Sequence, residues 1–257
     1  MDVKRKIVPV NFYGENLKIE TTLFGSDLKS NHRKIFLSHG FTMHPKDYTK
    51  FAELLYEKSG KELTIVAPKI VGHKIKGYNN NSFNANQEIY ESFRDEFGYH
   101  GDIISHSAGP NQYETDKLVM VNPLMPFEQN VVQFMRDVSL KYSNNDLKAM
   151  IGSKKGWGLA YSFMKNMDQN LELIMDWQGM DLDNMFPERP NTDGRVIVAG
   201  SGSDNYMKDN LFDYVNLRNN LGNKFKSYDQ ALVPLGDHAS IMLHPEEVAQ
   251  KTIEFLL

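Results

Sequence analysis

The stretch Gly101-Asp102-Ile103-Ile104-Ser105-His106-Ser107-Ala108-Gly109 decides the reading of this chain. Ile103-Ile104 is a short apolar run of the kind that forms a buried strand. It stops at a small-x-Ser-x-Gly pattern. A serine at the tip of a tight strand-to-helix turn is forced into a strained backbone conformation. The residues two positions to either side of it must be small, or their side chains collide. Ser105 and Gly109 are those small residues around Ser107. The strain has a chemical use, because it drives the hydroxyl out of the sheet and into a cleft. The pattern predicts that Ser107 is a nucleophile.

The flanking sequence supplies the sheet this turn requires. Val8 to Phe12 and Leu17 to Phe24 flank Tyr13-Gly14-Glu15-Asn16, which predicts a hairpin. Further strands are expected at Lys34–Ser38, Leu63–Ala67, Leu118–Val121, Arg195–Ala199 and Phe225–Val233. Helical spacing of apolar residues appears over Tyr48–Lys58 and Asn86–Phe97, and Pro245-Glu246-Glu247 opens a terminal helix. Strands that are continuous apolar runs and alternate with helices imply an α/β fold, a mostly parallel sheet covered on both faces. One block breaks the alternation. Residues 126–190 show helical periodicity and no strand, and are expected to form a helical cap inserted in a core made of 1–125 and 191–257. This block and its edge are rich in methionine, with Met125, Met135, Met150, Met164, Met167, Met175, Met180 and Met185. Methionine suits adaptable apolar surfaces, so these side chains either form the small core of the cap or line an apolar substrate pocket beneath it.

A serine hydroxyl attacks only when a base takes its proton, and a histidine held by an acid is the usual base. In open α/β sheets functional groups gather at the carboxyl ends of strands. Asp204 follows the 195–199 strand through Gly200-Ser201-Gly202-Ser203, and His238 follows the 225–233 strand in Leu235-Gly236-Asp237-His238. These two are the expected acid and base. Asp237 is set aside because adjacent residues seldom turn their side chains toward each other, and Asp209 is the nearby alternative to Asp204. The oxyanion formed on attack needs backbone N–H donors. The amides of Ala108, after the nucleophile, and of Phe41, in the Ser38-His39-Gly40-Phe41 loop, are the expected pair.

Composition narrows the function classes. The chain has 257 residues, 40% hydrophobic and 24% charged, with a formal net charge of −4 and no cysteine. The charge gives no electrostatic case for nucleic acid or an anionic membrane. The absence of cysteine excludes disulfides, thiolate nucleophiles and thiolate-bound zinc, and fits a cytoplasmic location. No apolar stretch approaches the roughly 20 residues needed to span a bilayer, and no signal-peptide core follows the basic N-terminus, so a soluble, unprocessed chain is expected. His39 and His44 form no metal-ligand motif, and the Gly200–Ser203 turn lacks a P-loop lysine, so neither metal nor other cofactor is expected.

Ser105-His106-Ser107-Ala108-Gly109, the His39-Gly40-Phe41 loop, and Gly236-Asp237-His238 followed by His244-Pro245-Glu246-Glu247-Val248 resemble the α/β-hydrolase superfamily over roughly the whole chain. The resemblance is to its serine esterases and lipases with a helical cap, and implies Ser107 as nucleophile, His238 as base and Asp204 as acid. Dehalogenases and epoxide hydrolases of the superfamily carry aspartate at the nucleophile position. Two departures stand out. Ser105 replaces the usual first glycine of the turn. Only Pro110 to Asp116 separate Gly109 from the next strand, too short for the long helix that normally follows, so another element must cover that part of the sheet.

The expected function is hydrolysis of carboxylic esters of apolar acyl or aromatic substrates through an acyl-enzyme. A thioesterase, an amidase or peptidase, and a carbon–carbon hydrolase would use the same triad. A non-catalytic binding protein of the same fold is the alternative from a different class.

Overall fold

The computed structural model describes residues 1–25, 32–41, 43–76, 78, 82–96, 101–109, 114–123, 157, 161, 164–165, 167–199, 220–234 and 240–257. The apolar runs assemble into an eight-stranded sheet of order β1-β2-β4-β3-β5-β6-β7-β8. β1 (Val3–Phe12) and β2 (Glu15–Gly25) form the expected hairpin. Its turn is tighter than the sequence suggests. Phe12 pairs with Glu15, leaving Tyr13 and Gly14 at φ of 47° and 86°. Two successive positive φ values give a turn whose twist matches that of the strands.

β2 is also antiparallel to β4 (Leu63–Pro68). Every later pair is parallel, through β3 (Arg33–Ser38), β5 (Ile103–His106), β6 (Lys117–Val121), β7 (Arg189–Ala199) and β8 (Phe225–Val233). The parallel strands therefore all end at one edge of the sheet, and the loops after β3, β5, β7 and β8 start from that edge. β7 is longer than the expected 195–199 segment, and reaches back past the 190 boundary of the expected insertion. Its first half, Arg189-Pro190-Asn191-Thr192-Asp193-Gly194, has no apolar run to announce a strand, and its register with β8 shifts between Arg189 and Asp193. Backbone pairing extends it nonetheless, with the Arg189 amide donating to Lys224 O at 2.6 Å.

Alternation along the strands separates two cores. Ile35, Leu37, Ile65, Ile104, Val119 and Ile197 face α1 (Thr49–Lys58), a short α5 (Ser240–Leu243) and α6 (Pro245–Leu256). Basic side chains anchor the end of α6. Arg33 donates to Leu256 O at 2.8 Å, Lys117 to Phe255 O at 2.7 Å, and Arg195 to Lys251 O at 2.9 Å. Cations at a helix C-terminus satisfy orphan carbonyls and oppose the negative end of the dipole. Arg33 also grips Asp102, so the start of β5 and the C-terminal helix share one guanidinium.

Phe36, Val66, Ile103, Leu118, Met120 and Val196 face the other way, against α2 (Phe83–Glu96) and α3 (Met167–Gln178). α3 packs into the core on this face of the sheet. Leu173, Ile174 and Trp177 lie on one side of it, all at most 1% exposed. A short α4 (Leu182–Met185) then leads to β7. Among the methionines of this block, Met185 is buried and Met180 packs against the core, whereas Met164, Met167 and Met175 are exposed. Met125, Met135 and Met150, with most of 126–166, lie outside the described residues.

If α3 is part of the sheet's core, Leu173→Ala should lower the unfolding free energy by about 2–5 kcal/mol in urea denaturation. A loss below about 1 kcal/mol would show that α3 is peripheral.

Candidate active site

Ser107 follows β5 directly and has a φ of 54°, in the left-handed region where a non-glycine residue is strained. Such a conformation costs on the order of 1–3 kcal/mol. Its surroundings impose it. The Ser107 amide donates to Val121 O at 3.0 Å, adding one rung to the β5–β6 ladder, while the Gly109 amide donates back to His106 O at 2.8 Å. The chain thus leaves the sheet within two residues. A Cβ at Gly109 would lie 2.6 Å from Ser105 Oγ and 2.9 Å from Ser38 Oγ, so a side chain there would have to displace both hydroxyls. The departure at Ser105 is accommodated in the same space. Its hydroxyl is buried, and no group among the described residues hydrogen-bonds to it. Ser107 itself is 3% exposed.

The loop after β3 lies against this turn. A Cβ on Gly40 would fall 3.1 Å from Ser107 Cβ and 2.9 Å from His106 Nδ1, an approach that needs glycine. Histidines shape this loop. The Ile70 amide donates to His39 Nε2 at 3.2 Å, which places the ring proton on Nδ1, and Nδ1–H donates to Gly40 O at 2.9 Å. The Met43 amide also donates to Gly40 O, at 3.2 Å. A trans peptide is planar, so a fixed Gly40 carbonyl fixes the Phe41 N–H in the opposite direction. His73 holds the far end of the loop, donating from Nε2 to Met43 O at 2.7 Å. The Phe41 ring is partly buried and tilted against Trp177 of α3, with centroids 6.1 Å apart.

Ala108 is buried beside Ser107, and no backbone acceptor among the described residues takes its N–H. Ser107, Ala108 and the Gly40–Phe41 backbone are thus brought together. Asp204 and His238 lie outside the described residues. The strands that precede them, β7 and β8, end at Ala199 and Val233 on the same edge of the sheet as β5.

Two groups escaped the sequence reading. Tyr48 fits the apolar spacing of the first helix, yet it ends a 3-10 turn (Pro45–Tyr48) and sends its hydroxyl toward Gly40 and His106. The signal was chemical, since a buried tyrosine needs a partner for its hydroxyl. His73 carries no local signal, because its partner Met43 is distant in sequence. The rings of His39 and His44 lie 5.3 and 4.6 Å from that of His73. Both ring nitrogens of His39 are engaged by backbone groups, and no metal-binding group of three or more His, Asp or Glu occurs among the described residues.

No protein-family profile matches the sequence, and no curated protein matches it. Solved structures do resemble it. A bromoperoxidase from Bacillus anthracis superposes with a TM-score of 0.68 at 11% identity, over 98% of this chain and 99% of its own. Epoxide hydrolase I of potato (Solanum tuberosum) gives 0.67 at 12% identity, over 99% of both chains. An epoxide hydrolase from Vigna radiata gives 0.67 at 13% identity, over 98% and 97%. These neighbours and the strand order define the class: the chain has the α/β-hydrolase fold.

Burial lowers the pKa of His39 from 6.5 to about 3 and that of His73 from 6.5 to about 2, since desolvation penalises the cation. Both stay neutral in the folded state while the unfolded chain takes up protons below its ordinary value. Stability is therefore intact above pH 6.5 and falls as the pH drops toward the folded-state values, with a limiting slope of about 1.4 kcal/mol per pH unit for each ring. His73→Gln keeps an N–H donor near the Nε2 position for Met43 O and removes one titrating group. Urea unfolding between pH 7 and 5 should show a shallower decline for the variant, and parallel profiles would contradict the neutral, buried His73.

Proposed function

We propose that the protein is a serine hydrolase of carboxylic esters with apolar acyl or aromatic groups. The observation that carries this reading is the strained, non-glycine conformation of Ser107 at the end of β5, beside the Gly40–Phe41 backbone. A serine nucleophile distinguishes acyl transfer from epoxide opening. Attack on an acyl carbonyl gives an ester that water can release, whereas attack on an epoxide gives an ether that does not turn over. In the proposed mechanism His238 removes the Ser107 proton as the hydroxyl adds to the carbonyl. The amides of Phe41 and Ala108 hold the developing oxyanion. The tetrahedral intermediate collapses, the carbonyl–oxygen bond to the alcohol breaks, and His238 returns the proton to the leaving oxygen. Water, deprotonated by His238, then releases the acid and restores Ser107. Asp204 orients His238 and stabilises its cation. The reading needs no cofactor, and its partner is a small ester-like molecule. Of the expected insertion 126–190, the cap is proposed to come from the residues before α3, since α3 packs on the sheet and Arg189 and Pro190 begin β7.

Support for this assignment comes from the position of Ser107 and from the placement of Asp204 and His238 after parallel strands that end at the same edge. A fluorophosphonate probe should label the native protein covalently and leave Ser107→Ala unlabelled. Label that persists in the variant, or no label on native protein, would contradict the nucleophile, the second outcome favouring a non-catalytic binding protein. A chain-length series of p-nitrophenyl esters then tests the substrate class. Labelling without turnover of any ester would point to an amide or carbon–carbon substrate.

A further inference from the structure

We infer that Tyr48 is a positioning residue, whose hydroxyl locks the Gly40–Phe41 loop to the Ser107 turn so that nucleophile and oxyanion donor keep one geometry. The inference rests on the reading of Ser107 as the nucleophile and goes beyond it. Three elements converge on the Tyr48 oxygen. The Gly40 amide donates to it at 2.8 Å, His106 Nδ1 lies 2.8 Å away, and Met43 Sδ lies 2.9 Å away. Tyr48 and His106 are both fully buried. Gly40 belongs to the loop after β3, Tyr48 leads into α1, and His106 is the last residue of β5, bonded covalently to Ser107.

The need for such a clamp follows from Gly40. Its close approach to Ser107 and His106 excludes a side chain, and glycine is the residue with the most backbone freedom. Left free, its φ and ψ would let the Phe41 amide swing. The two peptide units flanking Gly40 are held separately. His39 and the Met43 amide hold the carbonyl on the C-terminal side, and Tyr48 holds the N–H on the N-terminal side. A hydroxyl carries one proton and two acceptor sites, and the arrangement can use all three. It accepts from Gly40 in every case. It either gives its proton to unprotonated His106 Nδ1 or accepts from protonated Nδ1 and gives its proton to Met43 Sδ. Either assignment ties the Gly40 amide to the residue preceding the nucleophile.

Tyr48→Phe removes this one oxygen and keeps the ring, with a thermal melt confirming that the variant folds. Hydrogen exchange read by mass spectrometry should show the peptide spanning Gly40 exchanging at least about ten-fold faster than in native protein, with β5 unchanged, since an unbonded amide loses its protection. On a p-nitrophenyl ester that native enzyme cleaves, kcat should fall roughly ten- to hundred-fold with KM within about two-fold, because a misaimed oxyanion donor weakens transition-state binding alone. Fluorophosphonate labelling should slow by a similar factor. Native exchange in the variant would overturn the clamp, as would native kcat. Probe labelling of native Ser107 in those cases leaves the hydrolase reading intact. Faster loop exchange in a protein whose Ser107 is never labelled would uphold the clamp and remove the hydrolase reading.

Discussion

The rest of the molecule depends on a single backbone conformation, the left-handed Ser107 at the end of β5. On its own a serine relaxes out of that region, at a gain on the order of 1–3 kcal/mol. The surrounding structure removes the alternative. The Ser107 amide is committed to β6, Gly109 is crowded by the Ser38 and Ser105 hydroxyls, and the loop after β3 presses its Gly40 against the turn. These contacts need the sheet register on both sides, with Ser38 beside Ser105 and His106 beside Val121. The strain is thus borne by packing across β3, β5 and β6 rather than by the turn itself.

The buried polar groups near the turn are organised in the same way. His39, His73 and Tyr48 sit where charge would be heavily penalised, and each makes a hydrogen bond to the loop backbone, His39 and His73 to the carbonyls of Gly40 and Met43 and Tyr48 to the amide of Gly40. Neutral imidazoles are suited to this task. They offer a directional donor and acceptor without the desolvation penalty of an ion. The loop that carries the proposed oxyanion donor is therefore fixed by hydrogen bonds at successive backbone groups, a form of preorganisation that fits catalysis by differential transition-state binding.

The sheet was legible because its central strands are buried on both faces and read as uninterrupted apolar runs, as at Leu63–Ala67, Ile103-Ile104 and Leu118–Val121. The Ser107 turn was legible because steric demands there dictate small residues at fixed offsets. What escaped was held by tertiary context. The first half of β7 carries Pro190, Asn191 and Gly194, and only pairing with β8 makes it a strand. The packing of α3 on the sheet also escaped, since Leu173, Ile174 and Trp177 read equally well as the core of a separate cap. Tyr48 was hidden by its own periodicity, an apolar position in a helix pattern that also carries the one hydroxyl linking loop and turn. Asp204 and His238 remain assignments from chain order, supported by strands that deliver both toward the edge where Ser107 lies.

The central claim is that Ser107 forms a covalent acyl intermediate. Acid quenching during turnover of a p-nitrophenyl ester, followed by intact mass and peptide mapping, tests it directly. The account predicts one acyl group per chain, on the peptide containing Ser107, appearing with the first burst of p-nitrophenol. Steady turnover with no acyl group on that peptide, or with the acyl group on another residue, would contradict it.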